Sequence, residues 1–456
     1  MALKYLMVAI ALSFVMVTNS FSQDKERLTF NEIYRPQFHF TAPMNWINDP
    51  CGLIYYKGVY HLFYQYNPVS TAPHWSTGTQ PYWGYAKSTD LIHWEQMPIT
   101  DIKSGTGSGL VDYGNQSGLG SGKEDVIVLF YRGHLSYSTD EMKSWKTKKL
   151  SGVNGPDPYV FKDAKKGKWV MITFNYPEKR HEFLMYESDN LVDWKLISKN
   201  DSLGFFECPV MVELQIEGEK EKKMIYYSGD GDYYIGNFDG KDFIIEEGKY
   251  KMDWGGNFYA SQVWKGSASN PDRVTNIAWL NGTAFPNMPF SQQLSFPSEL
   301  TLKNVTEGLR VCRNPVKEIQ KLHDGLLFSG ENIVIKPKEN LLKDVSGELL
   351  DIQLGLEINK ETDISFKIRG KEIKYIGATK EISVGKVKAP VKLEKGNLNL
   401  RILVDRGSME IFADKGQVVL SSLFTPDVKN KTLSMETIRT STRINSLNIY
   451  GLKTMY

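Results

Sequence analysis

Three cysteines in 456 residues, Cys51, Cys208 and Cys312, are too few and too odd in number to build a disulfide framework, so all three are expected to be free structural thiols. Net charge is only +2, with acidic and basic residues nearly balanced, which disfavours nucleic acid, an anionic membrane surface or a polyanionic substrate as a partner. Seven histidines, His61 and His93 among them, stand at scattered spacings with no metal-ligand pattern, so neither a metal nor any other cofactor is expected. Long helical periodicity is missing, and so is any internal apolar run long enough to span a membrane. The one apolar run, Leu6 to Val17, follows Lys4 and precedes Ser20-Phe21-Ser22, the pattern of a signal peptide over residues 1–22. The mature product is expected to be exported, to the periplasm or the extracellular space.

What the sequence has in quantity is aromatic residues: 24 Tyr, 22 Phe and 10 Trp. These favour sheets, and their faces suit carbohydrate rings. Their arrangement repeats. Ser88-Thr89-Asp90-Leu91-Ile92-His93-Trp94 resembles Ser138 to Trp145 and Ser188 to Trp194, the tryptophans stepping by 51 and then 49 residues, and Phe238 to Phe243 closes a related unit about one period later. A period near fifty with several short strands per unit is the sign of a β-propeller. Val126 to Tyr131, Trp169 to Phe174, Met224 to Ser228 and Val274 to Trp279 occupy equivalent places, and the strand at Tyr55 opens a first unit. The expected fold is all-β: a five-bladed β-propeller over residues 30–318, then a β-sandwich over 322–456, where Lys-rich segments such as Asn399 to Phe412 alternate in the manner of a sandwich. Asp405 and Glu410 in that second part are read as strand-orienting residues, and the charge run Glu219 to Lys223 as a solvated hairpin.

Three acids stand out against this frame. Asp49 sits between an aromatic-polar run and a Pro-Cys-Gly turn, just ahead of the aromatic stretch Tyr55 to Pro68. Asp157, in Pro156-Asp157-Pro158, and Glu207, in Phe206-Glu207-Cys208-Pro209, are 50 residues apart and each precedes the first strand of its unit. First strands of propeller blades line the central channel, so the three carboxylates are expected to converge at one mouth. Like charges at one point raise at least one pKa, giving the pairing of protonated acid and ionised nucleophile that glycoside hydrolysis uses. Cys208 beside Glu207 is read as a buried neighbour tuning that acid, not as a thiol nucleophile.

At these residues the chain resembles glycoside hydrolase family 32, the invertase, inulinase and levanase group. Trp46-Ile47-Asn48-Asp49-Pro50-Cys51-Gly52, Phe63 to Pro68, Trp83 to Trp94, Phe206 to Pro209 and Asp253 to Gln262 carry the resemblance. It implies Asp49 as nucleophile, Glu207 as general acid and base, Asp157 as stabiliser of the transition state, and Asn48, Gln65, Trp75, Thr106 and Ser108 as substrate-binding residues. It also implies a retaining enzyme that cleaves β-fructosyl linkages in sucrose or fructans through a covalent fructosyl-enzyme, with no cofactor and a fructose-containing oligo- or polysaccharide as partner. The departures are specific. The family's Arg-Asp-Pro block reads Pro156-Asp157-Pro158, its Phe-Ser-Gly-Ser block reads Gly105-Thr106-Gly107-Ser108, Cys51 replaces an asparagine, and Pro297-Ser298-Glu299-Leu300 lacks an arginine. Losing two charge-assisted hydrogen bonds at position 156 would cost about 3 to 6 kcal/mol unless Arg132 or Arg180 replaces them. The alternatives are the same machinery on another furanoside, transfer to a sugar acceptor, or a propeller that only binds glycan.

Overall fold

A computed structural model describes residues 30–176, 181–282, 285–393 and 395–456; the signal-peptide expectation at 1–22 and Arg180 lie outside them. Five antiparallel sheets built from consecutive strands follow one another. Blade 1 is Asn45–Tyr56, Val59–Asn67, Tyr82–Ser88 and Glu95–Met97; blade 2 is Ser108–Asp112, Val126–Tyr131, His134–Ser138 and Lys146–Lys149. Blade 3 is Tyr159–Asp163, Lys168–Asn175, Glu182–Ser188 and Lys195–Asn200, and blade 4 is Val210–Gln215, Lys222–Tyr227, Asp232–Phe238 and Phe243–Lys251. Blade 5 is Phe258–Lys265, Val274–Leu280, Ser298–Val305 and Gly308–Pro315, so Pro297 to Leu300 enters its third strand. The first strands of neighbouring blades pack on one another around the channel, and the first strand of blade 1 closes the ring by pairing with Phe290–Ser291.

The sequence repeat has a local cause. It forms the turn between the third and fourth strands of a blade, where Asp90 Oδ1 accepts from the N–H groups of Ile92 and His93 at 3.0 and 2.9 Å. Asn190 does the same for Val192 and Asp193, and Asp239 for Lys241 and Asp242. A short side chain that mimics a backbone turn is what the position demands.

Two readings of strand position are corrected. Asp49 does not precede a strand but lies within one, Asn45–Tyr56, at a register break between Ile47 and Pro50 that accommodates the proline. The stretch Tyr55 to Pro68 is not one strand either: it turns at Lys57 and Gly58, both in the left-handed region. The Glu219 to Lys223 run is a hairpin, as expected.

The second part packs a six-stranded sheet, His323–Ile335, Thr442–Leu452, Leu350–Glu357, Asn397–Val404, Ser408–Ala413 and Val418–Leu423, on a five-stranded one. Ile352, Ile402, Phe366 and Met435 are among the buried side chains between them. Asp405 and Glu410 do more than orient strands. His39, just ahead of blade 1, is clamped between them, Nδ1 2.8 Å from Asp405 and Nε2 2.9 Å from Glu410, all three fully buried. Asp405 also accepts from the N–H groups of Gln37, Phe38 and His39. Arg313 of blade 5 adds a 2.6 Å bond to Asp253 and approaches Glu410 at 3.6 Å.

Candidate active site

Asp49 is carried inward by the broken register of its strand and is only 6% exposed. Gln65 Nε2, from the second strand of blade 1, donates to its Oδ2 at 3.0 Å, the Thr106 hydroxyl of blade 2 makes a short bond to the same oxygen, and Asn48 Nδ2 reaches Oδ1 at 3.3 Å. Blade 2 can come this close to blade 1 because position 109 is glycine: a Cβ there would lie 2.7 Å from Ile54 Cγ1 and 2.9 Å from the carbonyl oxygen of Gly52. Gly52 N–H donates to Gly107 O across the same gap.

Asp157 and Glu207 arrive from the turns that open blades 3 and 4. Asp157 has φ of 54° and Cys208 of 51°, left-handed values that cost roughly 1 to 3 kcal/mol each for side chains of this kind and persist where the surroundings impose them. Cys208 ties the trio together. Its N–H donates to Asp157 Oδ2 at 3.3 Å, and its thiol lies 3.7 Å from that oxygen, 3.8 Å from Asp49 Oδ2 and 3.7 Å from the Thr106 hydroxyl. The thiol is buried and its pKa is driven well above the usual value by burial and by Asp157 and Asp49, so it remains a neutral S–H.

The electrostatics follow from burial without compensation. Desolvation, then the neighbouring Glu207 charge, pushes Asp49 up to about 6 even against the Thr106 bond. Desolvation, then Glu207 and Asp49, pushes Asp157 up to about 8. Glu207 is raised by burial, opposed by a 2.8 Å hydrogen bond from the Tyr259 hydroxyl of blade 5 and by His181. Among the described residues no lysine or arginine pairs with any of the three. The cluster therefore retains a proton at neutral pH. It combines a carboxylate able to attack, a carboxylic acid able to protonate, and a third that responds to charge between them.

Around this centre the other sequence candidates divide. Asn48, Gln65 and Thr106 touch Asp49 directly. Trp75, on the short helix His74–Thr77, is 59% exposed and stands edge-on to Trp46 at 5.5 Å, whose indole N–H donates to Asn48. Trp279 joins them, 6.4 Å from Trp75 and 6.2 Å from Tyr259, completing an aromatic rim over the acids. Ser108 is placed elsewhere: its hydroxyl donates to Pro158 O at 2.8 Å and accepts from Val160 N–H at 3.1 Å, joining blades 2 and 3. Cys51 packs among Phe63, Trp83 and Leu129 between blades 1 and 2, so its replacement of asparagine falls in the core. Tyr259 and Trp279 were not singled out from sequence, although Tyr259 lies in the Asp253 to Gln262 block.

The sequence matches the model of the glycosyl hydrolases family 32 N-terminal domain over residues 39–315 and that of the family 32 C terminal over residues 328–451. It is 32% identical to a levanase of Bacillus subtilis, covering 97% of this chain and 74% of that protein, and 27% identical to the extracellular exo-inulinase of Aspergillus ficuum, covering 87% and 90%. Its fold is similar to the crystal structure of exo-inulinase from Aspergillus awamori, with a TM-score of 0.81, 23% identity, and 94% of this chain and 100% of that one covered. Both parts of the chain are matched, and the chain belongs to glycosyl hydrolases family 32, as a glycoside hydrolase acting on fructosides.

Proposed function

We propose that the chain is an exported, retaining β-fructosidase that cleaves sucrose or fructans through a covalent fructosyl-enzyme. Glu207 protonates the oxygen of the leaving sugar while Asp49 attacks the anomeric carbon. Glu207 then takes a proton from water, which releases fructose and frees Asp49. Asp157 faces the positive charge that develops on the ring in both steps and favours its own ionised form as that charge grows. Gln65, Thr106 and Asn48 hold Asp49 in one orientation, so attack needs little reorganisation. The observation that carries the reading is the meeting of three carboxyl groups, Asp49 buried and Asp157 and Glu207 half-buried, without a pairing cation among the described residues, in a chain whose relatives are named levanase, exo-inulinase and invertase. Export is supported by the leader-like run at 1–22 and by relatives described as extracellular.

Fructose release from sucrose, inulin and levan by the purified protein tests the reading, with Asp49→Ala and Glu207→Gln alongside. Release that both changes abolish, with transfer to added methanol giving the β-methyl fructoside, supports it. An α-methyl product overturns the retaining step, and no release from any of the three substrates overturns the substrate class.

A further inference from the structure

A general acid stands next to the leaving group, so whatever surrounds Glu207 on its outer side meets the departing part of the substrate. Two exposed aromatic residues lie there. Phe206, immediately before Glu207, is 39% exposed, and Tyr176, at the end of the second strand of blade 3, is 52% exposed. The His181 ring sits between them, 5.0 Å from Phe206 and 5.1 Å from Tyr176, and Phe174 supports both from below at 5.4 and 6.4 Å. His181 is itself held by a bond between Nδ1 and Phe205 O at 2.9 Å. Flat apolar rings beside a general acid suit the apolar faces of sugar rings.

A cavity begins beside the ridge, at Asn175, the residue before Tyr176. Phe174 N–H donates to Pro156 O at 3.2 Å, and from Pro156 and Asn175 onward a space of about 400 Å³ opens between blades 2 and 3. That size falls within the range of small-molecule sites. Leu184 and Leu196 form apolar wall, while Arg132, at the tip of the two-residue hairpin of blade 2, and Lys199, on the outer strand of blade 3, supply donors. No acidic residue lines it, and among the described residues neither cation has a carboxylate partner. Position 156 opens on this space with a proline ring, where an arginine would occupy it.

We infer that the ridge of Phe206 and Tyr176 and the cavity at Arg132 form a continuous binding path for the leaving-group sugars of a fructan, so that the enzyme is selective for chain length. The inference rests on the assignment of Glu207 as general acid. The first sugar beyond the scissile bond lies on the ridge, and later ones reach the cavity, where Arg132 donates to sugar hydroxyls.

The test is kcat and KM for sucrose and for β-fructosyl oligosaccharides of three, four and five units, measured with the parent, Tyr176→Ala and Arg132→Ala. Both changed side chains are exposed, and thermal unfolding of each variant verifies its fold. For the parent KM falls with length. Tyr176→Ala raises KM about tenfold at every length, sucrose included, with kcat little changed. Arg132→Ala raises it by an amount that grows with length, and Pro156→Arg in the Arg132→Ala background recovers most of the loss by placing a guanidinium in the same space. A purely structural effect of Arg132→Ala would move all lengths alike. A Tyr176→Ala variant with the parent's KM values, or an Arg132→Ala variant that keeps the parent's dependence on length, in a preparation that releases fructose, overturns this inference alone. A parent inactive on every member of the series overturns the fructosidase reading, and the inference with it.

Discussion

The molecule buries two sets of acids, and they are treated in opposite ways. In the channel, Asp49, Asp157 and Glu207 face one another without a cationic partner among the described residues, and burial drives all three pKa values up. Where the propeller meets the sandwich, Asp405 and Glu410 are buried still more completely. There His39 bonds to both, and although burial alone would raise them, these bonds bring both below the usual carboxylate range. His39 in turn is pushed up to about 9, its hydrogen bonds to Asp405 and Glu410 overcoming the desolvation that would lower it. Burial by itself thus decides little. Between these two sets, the His39 partner separates acids that hold the fold together from acids held in readiness for chemistry.

Removing the acids tests this difference most severely. Asp49→Ala lowers the rate of fructose release by about 10⁴-fold, roughly 5 kcal/mol in activation free energy, as measured by steady-state kinetics on sucrose or inulin. Breaking the interface set acts on the fold instead. His39→Ala leaves Asp405 buried without its cation and Glu410 with Arg313 alone, 3.6 Å away, and destabilises by about 3 to 5 kcal/mol, read from urea unfolding.

The pH dependence of the interface has a definite sign. His39 is raised above its unfolded value, so its contribution is fully present below about 6.5 and is lost as pH rises through about 9. Unfolding of the parent followed from pH 6 to pH 10 shows that loss, and in His39→Ala the decline is absent.

Tyr259→Phe gives the smallest effect. It removes the one hydroxyl bonded to Glu207, which favours the ionised form, so the Glu207 pKa rises and the alkaline limb of the rate profile moves to higher pH. A shift to lower pH would contradict the role given to that bond.

The same contrast marks what the sequence could and could not show. Most of the blades were legible because blades 1, 3 and 4 repeat a turn that needs a short acceptor at Asp90, Asn190 or Asp239, a local requirement written at a regular period. Asp157 and Glu207 were legible for the same reason, since they lie one period apart, and Asp49 by its place between an aromatic-polar run and a Pro-Cys-Gly turn. The His39 clamp was not, because His39 stands 366 and 371 residues from Asp405 and Glu410, and no local pattern links them. Tyr259 depends in the same way on blade 5 closing against the turn that carries Glu207. Ser108 shows the reverse case. Its motif place suggested sugar contact, but two backbone groups of blade 3 take up its hydroxyl. The strand that holds Asp49 starts ten residues earlier than the aromatic alternation indicated, because a proline inside a strand reads as a break until a bulge is seen to absorb it.

Asp49→Asn brings both halves of the comparison into one protein. In the parent, Asp49 is pushed up to about 6, above its unfolded value, so the folded state binds its proton more tightly and stability falls as pH rises from about 4 through 6. Above that range the full cost of the buried charge is present, and an amide of the same shape removes it. The measurement is the unfolding free energy of Asp49→Asn and parent at pH 8, beside their rates of fructose release. The account predicts a variant about 1 to 3 kcal/mol more stable than the parent and almost without activity. A variant that is less stable and still releases fructose would contradict it.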